Sequence, residues 1–339
     1  MASFWRQLPR PFYCVAPMAN VTDVAFRAAI TELGKPHVMW TEFVSCEALM
    51  SSTARTREKM LTALKYAPSE RPIVAQLFGS KPDQFRECAK IVRDLGFDGI
   101  DINMGCPERN VNKQGSGAAL IGDPANAQAI VRACQESGLP VSVKTRIGLE
   151  TIDYDDWINY ILDTEPDALT VHGRTRKEMS LVPAHWDVIG DIVHLVRDKR
   201  QSDVILIGNG DVASLDDANE KVALYGIDGV MVGRALFGNP WFFQGPTLLT
   251  ERGTEERLLG MIRHTQIFEE LLLQHGHNQF HHVKKMYGSY LAGIPYAKQF
   301  KEQLSRAATP AEVYPLVHDF IRQDKARSQL AAANEPPMH

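Results

Sequence analysis

The sequence predicts an α/β fold, a TIM (β/α)8 barrel, followed by a small C-terminal all-helical domain. Eight short apolar runs typical of buried strands recur over about 230 residues, and most are followed by a turn and a helical stretch. From about Thr254 the pattern changes to long amphipathic helices without the alternation typical of strands. At 339 residues the chain is long for one ordinary domain but suits a barrel with a smaller domain.

Each strand of the barrel is predicted from an apolar run that ends in polar residues or glycine. The eight predicted strands lie at residues 12–18, 38–43, 73–78, 98–103, 141–144, 168–172, 204–207 and 229–232. Helix starts are predicted from capping residues, because Ser, Thr or Asp accepts the free N–H groups of a first turn and proline fits there. These starts are Thr22-Asp23, Ser80 with Pro82, Asp123-Pro124 and Ser214 to Asp217, and a further helix is predicted at residues 186–196.

Gly245-Pro246 marks the end of the barrel pattern. We expect residues 1–245 to form the barrel, residues 246–330 to form the helical domain and residues 331–339 to form a disordered tail.

Cys106 is the first candidate for a catalytic residue. The fourth strand runs into Asn103, Gly105 and Cys106, at the end of a barrel strand where such folds carry their chemistry. The alternative is that a free cysteine is a small buried hydrophobe, and this alternative fits the other four cysteines. Those four are Cys14, Cys46, Cys88 and Cys134, all among apolar or helical neighbours. Cys106 lies in a turn, where there is no core to fill.

The polar residues that end the other strands should face one another at the mouth of a barrel. They are Pro17 and Met18, Gln76, Lys144, His172, Asn209 with Gly210, and Gly233 with Arg234. The two glycine-bearing turns after the seventh and eighth strands suit a phosphate, which their backbone N–H groups and Arg234 would hold.

Lys144 needs an anionic partner, because an unpaired ammonium is costly to bury. An anionic reduced flavin would supply that partner, and the alternative is an ion pair with Asp101. For Gln76 and Asn103 the alternative is hydrogen bonding to loop backbone groups. Together, the residues at the strand ends favour a ligand with a phosphate and a polar ring system.

The net charge of −4 does not indicate nucleic-acid binding, so any such surface must be local. Residues 281–306 contain five lysines or arginines against one glutamate, interleaved with Tyr287, Tyr290 and Tyr296, a pattern that suits RNA contact. The alternative is a solvated helix face.

Five cysteines without C-x-x-C spacing or clustered histidines indicate neither a disulfide framework nor a metal site, and favour a cytoplasmic protein. The first eleven residues have no apolar segment, and no run of about 18 apolar residues occurs, so we expect neither secretion nor a membrane span.

Several motifs in order resemble the tRNA-dihydrouridine synthase family over nearly the whole chain. They are Ala16-Pro17-Met18, Gln76 to Gly79, Asp101 to Pro107, Asn112 to Leu120, Val143 to Arg146, His172 to Arg176, Gly208 to Asp211, Gly233-Arg234 and Pro240-Trp241. One stretch differs, since Lys177 to His185 is more apolar than the glycine- and tyrosine-bearing loop typical of the family.

The resemblance implies an FMN-bearing barrel in which NADPH reduces the flavin. Hydride then passes from FMN N5 to C6 of a uracil base in tRNA, and Cys106 protonates C5. FMN would be held by Pro17, Met18, Gln76, Lys144, His172, Asn209, Gly210, Asp211, Gly233 and Arg234. The uracil edge would be held by Asn103, and the RNA by Arg174, Arg176, Lys284, Lys285, Lys298 and Lys301. We expect a monomer.

Two other functions remain open at this point. An FMN-dependent reductase of a free pyrimidine would explain the barrel and the flavin but not a basic helical appendage. An RNA-binding protein with a vestigial flavin site would not need Cys106, Lys144 and His172. A yellow colour in the purified protein would separate the enzymes from the inert binder.

Overall fold

The computed structural model describes residues 3–273 and 280–333, and the chain divides into two compact units. The first unit comprises Met1–Asp23 and Lys35–Ala235, and the second comprises Val24–Gly34 and Leu236–His339. This division differs from the expected boundary at residue 245. It also moves the first helix, α1 (Val24–Gly34), out of the barrel unit, because α1 packs on a later helix through an ion pair between Glu32 and Arg263.

Eight parallel strands form the first unit, and the prediction of a TIM barrel is confirmed. They are β1 (Phe12–Val15), β2 (Met39–Ser45), β3 (Ile73–Phe78), β4 (Gly99–Met104), β5 (Val141–Arg146), β6 (Ala168–His172), β7 (Ile205–Asn209) and β8 (Gly229–Val232). Their hydrogen-bonded order is β1-β8-β7-β6-β5-β4-β3-β2. A parallel bridge between Cys14 and Val38 joins the two ends of this order.

The helices of this unit follow the strands. They are α2 (Cys46–Leu49), α3 (Ala54–Ala63), α4 (Pro82–Asp94), α5 (Arg109–Lys113), α6 (Pro124–Gln135), α7 (Asp155–Leu162), α8 (Trp186–His194) and α9 (Leu215–Tyr225). Asp123 and Ser214 cap α6 and α9 as predicted, each accepting a backbone N–H of the first turn. The predicted cap at Ser80 is wrong. The residue before α4 is Lys81, which makes no side-chain cap, so proline alone marks this start.

The barrel interior is filled by side chains that alternate along the strands. Phe12, Cys14, Trp40 and Met231 lie in this core. Trp5, from a 3-10 turn at Phe4–Gln7, is buried against them at the end of the barrel where the strands begin. The opposite end, where the strands finish, is therefore left to carry the polar residues.

The second unit is helical, as predicted. Besides α1 it contains α10 (Thr254–Leu271), α11 (His281–Tyr290), α12 (Ala297–Arg306) and α13 (Pro310–Ala333). Residues 334–339 of the predicted disordered tail lie outside the described residues, and the backbone before them continues α13.

Two of the three tyrosines assigned to an RNA surface are core residues. Tyr287 and Tyr290 are buried, bonded to Thr265 at 2.8 Å and to His264 at 3.3 Å, and only Tyr296 is exposed. Their helical spacing places them on the inner face of α11, which the interleaved charges did not reveal.

In the parts of the chain that the structure describes, no helix is both long enough and apolar enough to cross a membrane.

Candidate active site

A cavity of about 260 Å³ lies where the strands of the barrel end. All ten residues expected to hold the cofactor line it, together with Cys106, Asn103 and Arg174. Residues spread over more than 200 positions of sequence therefore meet at one site, because parallel strands bring their carboxyl ends to the same face.

Asp101 is the fully buried starting point of a hydrogen-bond relay beneath this cavity. Its two carboxylate oxygens accept from Gln76 Nε2 and from Ser142 Oγ, each at 2.6 Å. Burial raises the pKa of Asp101 to about 6, while the hydrogen bonds from Gln76 and Ser142 favour the charged form. The group is therefore mostly ionised at pH 7 and can only accept.

Because the Asp101 carboxylate can only accept hydrogen bonds, it determines which atom donates and which accepts in each following hydrogen bond. Because Gln76 must donate its NH₂ to Asp101, its Oε1 accepts from Asn103 Nδ2 at 3.0 Å. Asn103 Oδ1 then accepts the backbone N–H groups of Gly105 at 3.1 Å and Cys106 at 2.9 Å. The amide orientations, which spacing alone leaves ambiguous, follow from one buried carboxylate.

The relay ends on the turn that carries Cys106, whose side chain is half-buried at the cavity wall. The Cys106 carbonyl is held from behind by Asn112 Nδ2 at 2.8 Å and by the N–H of Ala118 at 3.0 Å. Gly117 has φ +62°, and a Cβ there would lie 2.9 Å from that carbonyl oxygen. Burial raises the pKa of the Cys106 thiol, so the neutral, proton-donating form prevails at pH 7.

Lys144 does not form the alternative ion pair with Asp101. Its Nζ donates to Asn209 Oδ1 at 3.0 Å, and Asn209 in turn donates to the Met231 carbonyl at 2.8 Å. Burial, assisted by the nearby charge of Arg146, lowers the pKa of Lys144 to about 8. The amino group is still mostly charged at pH 7, and an anion in the cavity would favour that form.

Arg174 connects His172 to Asp211 inside the wall of the cavity. A guanidinium can only donate, so its 3.1 Å contact makes His172 Nε2 the acceptor and places the ring proton on Nδ1. Burial lowers the pKa of His172 well below its usual value, with nearby cations adding to the effect, and the ring is neutral. Asp211 accepts from Arg174, from Arg234 at 2.6 Å and from the N–H of Ala184 at 2.9 Å.

These contacts bear on two expected roles, those of Arg174 and Asp211, which stay predictions. Arg174 is 2% exposed and bonded to Asp211 and the Val182 carbonyl, a position that does not suit RNA contact. The Asp211 carboxylate would repel a phosphate, so it suits the orientation of Arg234 better than direct contact with the cofactor.

The remaining RNA candidates lie outside the cavity lining. Arg176 forms an ion pair with Glu150. Lys285, Lys298 and Lys301 are exposed on α11 and α12. Lys284 is instead bonded to the Ser305 and Ala307 carbonyls at 3.1 and 2.7 Å, at the end of α12.

Sequence reasoning missed the part played by Arg146. It is buried without an ion pair among the described residues, and it donates to the carbonyls of Gly105 at 2.6 Å, Thr175 at 3.0 Å and Met179 at 3.1 Å. It thus joins the Cys106 turn to the loop after β6. Its position two residues after Lys144 on β5, and hence on the same side of the strand, was the available signal.

The residues present fit a flavin mononucleotide. Gly210 has φ +127°, and a Cβ there would lie 2.7 Å from Ala184 Cβ and 3.1 Å from the His172 ring. A Cβ on Gly233 would meet only Ala16 and Met18, at 3.6 Å, so a side chain there would take up space beside Met18 at the cavity. This glycine-lined space, with Lys144 and Arg234 as cations, suits a phosphate and an anionic ring.

Comparison with known proteins gives a consistent result. The family model for dihydrouridine synthase (Dus) matches residues 14–327. A probable tRNA-dihydrouridine synthase of Staphylococcus epidermidis is 38% identical over 330 residues, covering 97% of this chain and 99% of that protein. Probable tRNA-dihydrouridine synthase 2 of Bacillus subtilis is 37% identical over 323 residues, covering 95% and 97%.

Among solved structures, histamine dehydrogenase from Rhizobium sp. 4-9 superposes with a TM-score of 0.51 at 15% identity. The match covers 76% of this chain and 49% of that one. At this identity the likeness supports the fold alone.

Proposed function

The chain belongs to the dihydrouridine synthase family, and we propose that it reduces the C5–C6 double bond of uridines in tRNA to give dihydrouridine. The observation that carries this proposal is the half-buried, neutral thiol of Cys106, held by the Asn103 turn at a cavity lined with cations and glycines.

FMN would be held by the residues that end the strands. Lys144 and His172 line the cavity and would contact the ring system, while Gly210, Gly233 and Arg234 would hold the phosphate. When bound, FMN would supply a hydride from its N5 to C6 of the base, with NADPH as the source of the reducing equivalents. Lys144, charged at pH 7, stabilises negative charge on whatever occupies the cavity.

Cys106 donates the proton that C5 of the uracil receives. A hydride and a proton together complete a two-electron reduction, so the acid must be present as the neutral thiol. Burial keeps it so, and the hydrogen bonds from Gly105 and Cys106 to Asn103 fix the turn from which the thiol projects. Asn103 Nδ2 has a second hydrogen, beyond the one given to Gln76, with which it can hold the uracil edge.

The uridine must leave the RNA stack to reach this cavity. The exposed lysines of α11 and α12, Lys285, Lys298 and Lys301, would contact RNA phosphates. A free pyrimidine would need no such contacts, so a much higher rate on tRNA than on uridine is expected.

The test compares Cys106→Ala with wild type in a strain that lacks its own dihydrouridine synthases. We expect wild type to be yellow and to produce dihydrouridine in tRNA, measured by mass spectrometry. Cys106→Ala should keep its flavin and oxidise NADPH yet lose product by about 100-fold or more.

Cys134→Ala is the matched control, because it removes a buried thiol from α6, away from the cavity. It should retain product formation. Undiminished dihydrouridine in Cys106→Ala would exclude the acid role, and a colourless wild-type protein would exclude the flavin site.

A further inference from the structure

The loop after β6, residues 175–185, presents apolar side chains to solvent beside the cavity. Leu181 is 84% exposed and Met179 is 48% exposed. Ser180, between them, lines the same cavity as Cys106. A single exposed leucine is ordinary on a protein surface, so exposure alone does not indicate a function.

What distinguishes this loop is how firmly its backbone is held. The buried Arg146 donates to the carbonyls of Thr175 and Met179, and the buried Arg174 donates to that of Val182 at 2.6 Å. Two buried guanidinium groups thus hold carbonyls of a surface loop on both sides of Leu181.

Further bonds within the loop support the same conformation. The Glu178 carboxylate accepts the N–H of Thr175 at 2.8 Å and contacts His185 Nε2 at 2.9 Å. The N–H of Leu181 donates to the Glu178 carbonyl at 2.9 Å. Met179 adopts φ +52°, a left-handed conformation that is unfavourable for a side chain of this kind. The loop therefore holds Leu181 in water in one conformation, at a cost to the backbone.

The proposed function requires a base drawn out of its stack, which leaves an apolar gap between the neighbouring bases. Proteins that open nucleic-acid stacks commonly insert Leu, Met or another apolar side chain at such a gap. The surroundings suit a polyanion, because Lys177 on this loop and Arg109 and Lys113 on α5, behind Cys106, are exposed. These exposed cations are groups that RNA phosphates could contact.

We propose that Leu181, with Met179 beside it, is an apolar wedge that packs against the bases flanking the extracted uridine and keeps the RNA stack open. The proposal rests on the proposed function, since it requires a uridine within RNA as substrate. It also gives a purpose to the apolar character of residues 177–185, which departs from the pattern expected there.

The first experiment measures dihydrouridine formation on tRNA from a strain lacking dihydrouridine synthases. Leu181→Ala should lower kcat/KM by about tenfold or more with unchanged flavin content, because restacking then competes with extraction. Leu181→Met should retain activity. Leu224→Ala is the matched control, since Leu224 is 73% exposed on α9 and lies outside the cavity lining.

Equal activity of Leu181→Ala and wild type would overturn the wedge. So would an equal loss in Leu181→Met, which would indicate a requirement for loop shape rather than apolar contact. Failure of the proposed function is distinguishable, because wild type itself would then form no dihydrouridine.

The second experiment measures the unstacking of the neighbouring bases directly, by fluorescence. A tRNA carrying 2-aminopurine beside the uridine that wild type modifies is bound to the inactive Cys106→Ala protein. The fluorescence of 2-aminopurine should rise on binding as the neighbouring bases unstack. The rise should be smaller with the double variant, which carries Leu181→Ala in addition to Cys106→Ala. An identical rise in both proteins would overturn the proposal.

Discussion

The turn that carries Cys106 depends on Asp101, a residue outside the cavity lining. Asp101 is fully buried below the cavity and acts through Gln76 and Asn103 on the two N–H groups of the turn. Because a carboxylate can only accept hydrogen bonds, it sets the direction of both amides. Asp101 is therefore a positioning residue, and its effect should appear in the rate of the chemical step.

Asp101→Asn should lower kcat by about 10- to 100-fold with little change in KM for tRNA, because a neutral amide no longer sets the direction of the relay. Single-turnover reduction of tRNA at several pH values measures the step. Ser142→Ala is the control, since it removes a donor to Asp101 and leaves the Gln76 contact in place, so its loss should be smaller. Equal rates for Asp101→Asn and wild type would contradict the positioning role.

At the scale of elements, two adjacent lysines on α11 have different roles despite their shared charge. Lys284 is half-buried and bonded to the carbonyls of Ser305 and Ala307, which belong to the end of α12. Lys285 is exposed. A cation at a helix C-terminus stabilises the fold, whereas a solvated one is free to bind an anion.

Lys284→Met should lower the free energy of unfolding by about 1–2 kcal/mol, because two carbonyls lose a charged donor. Lys285→Met should leave stability unchanged and weaken tRNA binding, with the slope of log affinity against log salt reduced by about 1. Urea unfolding and filter binding at several salt concentrations measure the two effects. Equal losses of stability would contradict the distinction.

The helical unit should also lose stability in acid through one buried histidine. His264 Nδ1 on α10 lies 3.3 Å from the Tyr290 hydroxyl on α11, and the ring packs against the Phe26 ring of α1. Burial lowers its pKa to about 4, whereas the unfolded chain has an ordinary histidine with a pKa of about 6.5. The unfolded state therefore binds the proton first, and stability falls as the pH drops from about 6.5 towards 4.

Between pH 7 and pH 5, wild type should lose about 2 kcal/mol more unfolding free energy than His264→Phe, which keeps the ring and cannot be protonated. Urea unfolding followed by circular dichroism measures the difference. His318→Ala, on the exposed face of α13, is the control and should behave like wild type. The same pH dependence in His264→Phe would show that another group is responsible.

At the scale of the whole molecule, the two ends of the barrel differ: apolar side chains fill the end where the strands begin, and the polar cavity lies at the end where they finish. The apolar core between the strands is capped by Trp5, which contacts the rings of Phe12 and Trp40 with centroids 6.1 and 5.5 Å away. The short turn that supplies Trp5 precedes the first strand, so a few terminal residues complete the core of the entire barrel.

Trp5→Ala should destabilise the barrel by about 3–5 kcal/mol, because it leaves a large cavity in contact with the barrel core. Thermal unfolding with bound flavin as reporter measures the loss. Tyr160→Ala is the control, since Tyr160 is a large aromatic residue exposed on α7, and it should change stability by less than about 0.5 kcal/mol. An effect of Trp5→Ala that small would mean that the turn is dispensable.

Much of this architecture could be predicted, and the failures share one cause. The eight strands and the cap at Asp123 follow from local patterns, and the structure confirms them. The charge pattern of residues 281–306 predicts Tyr287 and Tyr290 on the surface, because it does not show which face of the helix a neighbouring element covers. The order of strands and helices predicts α1 in the barrel, because it does not show which helix α1 packs against. The ion pair of Arg174 could not be predicted for the same reason, since its partner Asp211 lies 37 residues away.

By itself, the sequence determined the barrel and the polar residue at each strand end, and it indicated Cys106 as the candidate acid, because apolar period and strand ends are local properties. Only the tertiary structure decided what each polar side chain is bonded to. It shows that Asp101 accepts from Gln76 and that Lys284 donates to the Ala307 carbonyl. It also shows that Leu181 is exposed to solvent beside the cavity. The physical reason is that burial and hydrogen-bond partners are set by contacts between residues distant in the chain, which no local pattern contains.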